Sequence, residues 1–541
     1  MPLLDVRPDH LEWVKKILAE HVPQADVWAF GSRAKWLAKD TSDLDLCVDA
    51  KQALSFVQIG LLKEAFEDSD LPYKVDVVDW ATTSESFRKI IERDRVAVQR
   101  AGRGIELGIN SEVTVLPLED CLDALIDYRG KTPVKTNAGI PLITAKIIKG
   151  GRIETPTEFI ARDDYVAWMR RGIPKEGDVV LTVEAPLGEV AQLGPEKIAL
   201  AQRVVTLRGK AGLLDSTYLL YLLQTEEMQG QLKSRATGTT VLGIKQSELR
   251  KVTLTLPSLD LQLSAAATLK ALDDRITLLR ETNATLEAIA LALFKSWFVD
   301  FDPVRARMEG RAPEGMDEAT ARLFPDSFEE SALGLVPRGW RVATLADTFE
   351  INPTRKLSKG LMASYLDMAS LATSGHCVET PIQREMGSGA KFRNGDTLLA
   401  RITPCLENGK SAFVDFLAEG QTGWGSTEFL VLRPKAPLPE YLGYLLCRHP
   451  AFREYAIQSM SGTSGRQRIQ NDVLGRYLLA VPGGEIASAF TEVVEPIQKS
   501  IAANHETAQT LATLRDTLLP RLISGQLRLP EAEVMLAEAA A

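Results

Sequence analysis

At 541 residues, with 45% hydrophobic and 25% charged side chains, the chain has room for three or four globular domains of roughly 150 residues each, and a wholly disordered protein is excluded. It has no apolar run of transmembrane length, no signal-peptide pattern in its opening Met1-Pro2-Leu3-Leu4, and no C-x-x-C among its five cysteines; a soluble cytoplasmic protein without membrane contact, disulfide framework or structural zinc is expected. A net charge of −9 argues against indiscriminate nucleic-acid binding while leaving room for local basic surfaces.

Residues 1–107 are acidic, with 15 Lys and Arg against 19 Asp and Glu. Ala25 to Phe30 reads as a short strand, and Gly31-Ser32 follows it and opens a helix. Ser42 to Val48 reads as a second strand. Side chains alternate along a strand, so Asp43 and Asp45 should share one face. A third apolar strand, Val75-Asp76-Val77-Val78, carries Asp76. Three carboxylates beside a Gly-Ser turn suit two-metal phosphoryl chemistry: oxygen ligands hold Mg²⁺, and backbone N–H groups at the turn hold a triphosphate. An acidic surface strand with no metal is the plain alternative.

The spacing Gly31-Ser32-Arg33-Ala34-Lys35-Trp36, five residues, then Ser42-Asp43-Leu44-Asp45-Leu46 resembles the Gly-Ser-x-Ala-Arg-Gly … Ser-Asp-x-Asp-Leu pattern of minimal nucleotidyltransferases in the polymerase-β superfamily. The resemblance implies that Asp43, Asp45 and Asp76 are the catalytic metal ligands. Gly31, Ser32 and Lys35 would be the nucleotide-binding residues, and Mg²⁺ and a nucleoside triphosphate the cofactors. Lys35 replaces the usual Arg and keeps its charge. Trp36 replaces the usual Gly and would crowd the phosphate loop. The acceptor stays open between a protein hydroxyl and an RNA end.

Beyond residue 113 the chain repeats itself with a period near 225 residues. Leu254-Thr255-Leu256-Pro257 returns as Leu479-Ala480-Val481-Pro482, and Gly177-Asp178-Val179-Val180-Leu181 as Gly395-Asp396-Thr397-Leu398-Leu399. Each copy leads into a heptad pattern. The first runs Leu272, Ile276, Leu279, Asn283, Leu286, Ala290, Leu293, Trp297; the second runs Ile497, Ile501, Asn504, Ala508, Leu511, Arg515, Leu518, Leu522. Steps of four and three keep one stripe facing a partner helix, over a length on the order of 40 Å. Asn283 and Asn504 are read as the same seam position, where a polar residue gives up stability to fix register. The blocks ahead of the helices are mildly basic, with 19 cations against 17 anions in 118–257 and 15 against 13 in 346–480.

This order, with Asp127-Tyr128-Arg129-Gly130-Lys131-Thr132-Pro133, Phe294-Lys295-Ser296-Trp297-Phe298 and Leu518-Leu519-Pro520-Arg521-Leu522, resembles the specificity subunit of type I restriction-modification enzymes. The resemblance implies an α+β multidomain chain. A small α/β nucleotidyltransferase-like domain (1–107) is followed by two α+β target-recognition domains (113–257 and 339–482). Two long antiparallel coiled-coil helices (258–300 and 483–528) separate them, with a linker (301–338) and a tail (529–541). It further implies double-stranded DNA as ligand, a bipartite asymmetric target whose gap the helices set, and methyltransferase (M) and restriction (R) subunits as partners that bring the chemistry. Loop cations and amides suited to phosphates and base edges are Arg129 and Lys131 in the first block and Arg401, Arg466, Gln467 and Arg468 in the second. The competing reading is an enzyme first: a Mg-dependent nucleotidyltransferase targeted or gated by DNA-recognition modules.

Overall fold

The computed structural model describes residues 4–99 and 114–527, apart from positions 24, 36–37, 40–41, 52–53, 55, 68, 70, 129, 131, 239–240, 379, 464 and 526. It divides into two compact units, residues 1–272 with 513–541 and residues 273–512, and the divisions fall inside both long helices.

The N-terminal elements are α1 (Pro8–His21), β1 (Asp26–Phe30), α2 (Gly31–Ala34), β2 (Leu44–Asp49), α3 (Phe56–Glu67), β3 (Val75–Asp79), α4 (Glu85–Asp94) and β4 (Val96–Gln99). The strands form one sheet in the order β3-β2-β1-β4, with β2 and β3 parallel and β1 antiparallel to both β2 and β4. Period-two alternation divides its residues between two faces. Val27, Ala29, Leu44, Leu46, Val48, Val75 and Val77 bury with Val14 and Leu18 of α1 and Leu62 and Phe66 of α3. Phe30 and Cys47, on the other face, pack with Phe87 and Ile91 of α4. Asp45 and Asp76 alternate onto this second face. Asp43 lies one residue ahead of β2 and is exposed.

The two recognition blocks are the same fold built twice. In the first, Leu187–Gln192, Val179–Val183, Val204–Gly209 and Leu122–Asp127 lie side by side in that order; in the second, Ser411–Phe413, Thr397–Ala400, Phe429–Pro434 and Phe349–Ile351 repeat it. Each block adds a second sheet containing one parallel pair, three-stranded in the first block and four-stranded in the second: Ala199–Leu200 on Ile140–Ile143 and Gly423–Gly425 on Met362–Leu366. Each is closed by its first and last strands, Thr114–Pro117 with Thr253–Leu256 and Arg341–Thr344 with Leu478–Val481.

The repeated Gly-Asp phrase explains itself here. The Asp178 carboxylate is buried, accepts from the Lys175 backbone N–H at 2.8 Å and pairs with Arg208 through Nε and Nη2 at 2.7 and 2.8 Å. Asp396, also buried, accepts from the Arg393 backbone N–H at 2.8 Å and meets Arg355 and Arg433 at 2.8 and 2.9 Å. A buried carboxylate requires such pairing.

The long helices span Leu259–Phe298 and Gly484–Ile523, 40 residues each. At 1.5 Å per residue that is about 60 Å, longer than the heptad pattern alone indicated, because the helical pattern begins ahead of the first seam residue in each copy. Within residues 273–512 they pair antiparallel: Ile276 and Leu279 pack on Ala508 and Leu511, and further along Trp297 and Phe298 meet Phe490 with ring centroids 5.3 and 4.7 Å apart. Leu272, Ile276, Leu279, Ile501 and Leu518 are buried, whereas Leu286, Leu293, Ile497 and Leu511 are half-buried. Near the end of the first helix the buried stripe broadens to Phe294, Trp297 and Phe298, where the helix joins the core of the second recognition block. Glu287 is buried beside the seam because Tyr444 donates to its Oε1 at 2.5 Å.

Candidate active site and DNA-reading loops

Gly31 is where the N-terminal site is built most tightly. Its φ is +79°, a conformation L side chains rarely adopt, and a Cβ there would lie 2.2 Å from Asp45 Oδ2. Only glycine satisfies both demands. It brings the β1–α2 turn against the carboxylate of β2. The helix that follows is a single turn, Gly31–Ala34. Arg33 inside it is buried; its Nε donates to the Ser42 carbonyl at 2.9 Å, its Nη1 to the Asp5 carbonyl at 2.8 Å, and its guanidinium lies 3.9 Å from the centre of the Tyr73 ring. Arg33 therefore ties the turn to the segment that delivers Asp43. The motif treats it as an arbitrary residue, and nothing in the local sequence marks it. Ser32 is half-buried and Lys35 exposed; Trp36 lies outside the described residues.

Asp45 and Asp76 are register partners in the parallel β2–β3 pair. The Asp45 carboxyl is held above the usual carboxylate range, first by burial, then by the negative charges of Asp76 and Asp43. Asp76 is answered by Lys74, whose Nζ lies 2.6 Å from Oδ1. Among the described residues no group of three or more His, Cys, Asp or Glu side chains is gathered closely enough to hold a metal ion. The three aspartates are electrostatic neighbours, not an assembled cluster. Two further aspartates on the same strands serve the fold: Asp79 accepts from the Ala81 and Leu54 backbone N–H groups at 2.9 and 3.0 Å, and Asp49 from that of Lys51 at 2.8 Å. The chemistry of the site nevertheless fits a cation and a phosphate chain. A carboxylate whose affinity for protons is raised by neighbouring negative charge, as that of Asp45 is, is one that a cation relieves.

The expected DNA contacts separate into three groups. Arg129 and Lys131 lie outside the described residues. Arg401 and Arg468 spend their charge within the fold: Arg401 donates to the Ile469 carbonyl and to Gln470 at 2.8 and 3.1 Å, while Arg468 grips Glu428 with Nε at 2.9 Å and Nη2 at 2.6 Å, drawing the Glu428 carboxyl below its usual range. The backbone of Gln467 is pinned to Thr403, accepting and donating at 3.1 Å. Arg466 is exposed, and among the described residues its side chain has no hydrogen-bond or ion-pair partner.

Comparison with known proteins accounts for both parts of the chain. Residues 12–101 match the family "Polymerase beta, Nucleotidyltransferase", and residues 110–288 match "Type I restriction modification DNA specificity domain". A probable protein adenylyltransferase, MntA, of Haemophilus influenzae is 50% identical over 103 residues, 19% of this chain and 90% of that protein. The specificity subunit of the type I restriction enzyme MjaIX of Methanocaldococcus jannaschii is 27% identical over 369 residues, 67% of this chain and 80% of its own length. A crystal structure of a type I restriction-modification S subunit from M. genitalium aligns at 16% identity over 77% of this chain and 98% of that one, with a TM-score of 0.46. No helix among the described residues is long and apolar enough to cross a membrane. With a specificity-domain match following the nucleotidyltransferase match, and specificity subunits among its relatives, the chain belongs to the type I restriction-modification specificity subunits and carries at its N-terminus a nucleotidyltransferase domain similar to MntA.

Proposed function

We propose that the chain, as the specificity subunit of a type I restriction-modification complex, reads a bipartite, asymmetric site on double-stranded DNA and docks M and R subunits. The division into residues 113–257 and 339–482 gives each half-site its own reader, and the paired helices set the gap. The observation that carries this reading is the doubled fold: one four-stranded sheet order, repeated in both blocks, whose loops carry different side chains. A symmetric dimer would read the same half-site twice; a single chain with divergent copies reads two different ones. Mapping methylated bases in cells with and without the chain tests it, with two unlike half-sites at a fixed gap as the expected outcome.

For the N-terminal domain we propose transfer of an adenylyl group from ATP to a protein hydroxyl. The acceptor oxygen bonds to the α-phosphorus, the bond to the bridging oxygen breaks, pyrophosphate leaves and the hydroxyl proton is released. Identity of 50% to a probable protein adenylyltransferase favours a protein acceptor over an RNA end. Asp43, Asp45 and Asp76 would hold Mg²⁺, which when bound supplies charge to the triphosphate and the leaving pyrophosphate. Gly31 and Ser32 present backbone N–H groups to phosphate oxygens, Lys35 adds a cation, and Arg33 keeps the turn in place. Magnesium-dependent transfer of labelled AMP by the full chain tests this, and loss of that transfer in Asp43→Ala with Asp45→Ala ties it to the site.

A further inference from the structure

The two recognition blocks each carry a loop of the same construction whose tip has a different chemistry. In the first block the loop spans residues 238–242 and is closed by Thr237 and Gly243, whose backbones exchange hydrogen bonds of 2.8 and 2.9 Å. In the second it spans 462–467 and is closed by Ser461 and Arg468, whose backbones exchange hydrogen bonds of 3.0 and 2.9 Å. Both closing residues bridge to the segment after the buried Gly-Asp strand, Gly243 to Glu184 and Arg468 to Ile402. Each loop opens on a glycine in left-handed backbone, Gly238 at φ +114° and Gly462 at +132°, facing the carbonyl of Val241 in one case and Arg466 in the other.

The bases of these loops are braced. Ile244 donates to the Val183 carbonyl at 3.0 Å, and Ile469 to the Arg401 carbonyl at 3.0 Å. Arg468, held by Glu428, belongs to this brace. At the tips the described side chains are open to solvent. Val241 and Leu242 are 49% and 43% exposed, two adjacent aliphatic side chains left in water; Arg466 is the corresponding exposed side chain in the second loop. A rigid base with an open tip of divergent chemistry is the construction a reading element needs.

We propose that these two loops read base edges, one in each half-site, which rests on the specificity-subunit reading above. Val241 and Leu242 meet an apolar base edge, the thymine methyl being the one the major groove offers. Arg466 donates its planar fork to guanine O6 and N7. The aliphatic loop can make no charged contact, so its role is selection rather than attachment. The prediction is an A·T pair under the first loop and a G·C pair under the second.

The test is methylation mapping of genomic DNA in cells expressing the full chain with its methyltransferase partner. Arg466→Ala should relax one G·C position of one half-site by roughly 5- to 150-fold and leave the other half-site unchanged. Arg466→Lys keeps the charge but not the fork, so it should not restore that position. Val241→Ser with Leu242→Ser should relax a thymine position in the opposite half-site only. All three are exposed positions, so the chain should fold, and unfolding curves on the same variants check it. Arg466→Ala lowering methylation of all targets equally, with Arg466→Lys restoring it, would make Arg466 a phosphate contact and overturn the base-reading assignment. An unchanged motif in Arg466→Ala, or in Val241→Ser with Leu242→Ser, overturns it too. Should the unaltered chain yield no two-part motif, the specificity reading itself fails and this inference with it.

Discussion

Asn504 donates its Nδ2–H to Asn283 Oδ1 at 2.9 Å, and Asn283 in turn donates to the Ile501 carbonyl at 3.0 Å. The two asparagines are not equivalents under the 225-residue repeat that relates the helix starts, Leu259 and Gly484; that repeat pairs Leu279 with Asn504 and Asn283 with Ala508. They meet because the helices run antiparallel, and the contact symmetry-related to theirs is the apolar one between Leu279 and Ala508. One side of the crossing is thus polar and the other apolar, so the seam distinguishes the two halves of an otherwise repeated chain.

Replacing Asn283 alone by Leu removes the acceptor for Asn504 and should destabilise the chain by about 1–3 kcal/mol. Replacing both by Leu should recover most of that loss, since an apolar pair needs no partner. Denaturant unfolding of the two single variants and the double variant gives the coupling directly; additive losses would show that the asparagines do not act together.

The Gly-Asp ion pairs should be among the costliest single sites in each block. Asp178→Ala strands Arg208, at about 3–5 kcal/mol. Asp396→Ala strands Arg355 and takes one of two carboxylates from Arg433, which keeps Glu440, and should cost more. Thermal unfolding of the two variants ranks them, and an Asp396 variant no less stable than the Asp178 variant would contradict the assigned network.

How much of this was legible in the sequence depends on the range of the contact. The strands that carry Asp45 and Asp76 were legible from their apolar pattern, because period two is a local property. The start of β2 was less legible, since where a strand begins depends on its pairing with neighbours, and Asp43 lies one residue ahead of it. The seam residues were readable from their spacing, but the partner of Asn283 was not, as it depends on how two distant segments cross. The pairing of Arg468 with Glu428 was not legible because the partner lies 40 positions away; Arg33 looked neutral because its contacts come from Asp5, Ser42 and Tyr73.

At the N-terminal site, Gly31→Ala should abolish nucleotide transfer, because the added methyl collides with the Asp45 carboxylate and the backbone disfavours any Cβ. DNA methylation by the complex should be unaffected, since the site lies outside the doubled recognition fold. Assaying both activities on one preparation checks it; loss of both would point to a wider collapse.

Acidification should weaken cation binding at that site earlier than ordinary aspartates would. Burial and the neighbouring carboxylates raise the Asp45 pKa, and a protonated carboxyl cannot bind a cation, so affinity falls as pH drops through a value above the usual Asp range. Without a cation the sign reverses for stability: the folded state favours protonated Asp45, so its contribution declines as pH rises through that same raised pKa. Mg²⁺ titration calorimetry across pH 4–7 reads the first effect. An affinity that stays flat until the ordinary Asp range would rule it out.

The central claim is that one chain reads two different half-sites with two copies of one fold. Single-molecule mapping of methylated bases, in cells with the chain and in cells lacking it, addresses that most directly. The account predicts a chain-dependent motif with two unlike half-sites at a constant gap. A continuous motif, two identical half-sites, or methylation indifferent to the chain would contradict it.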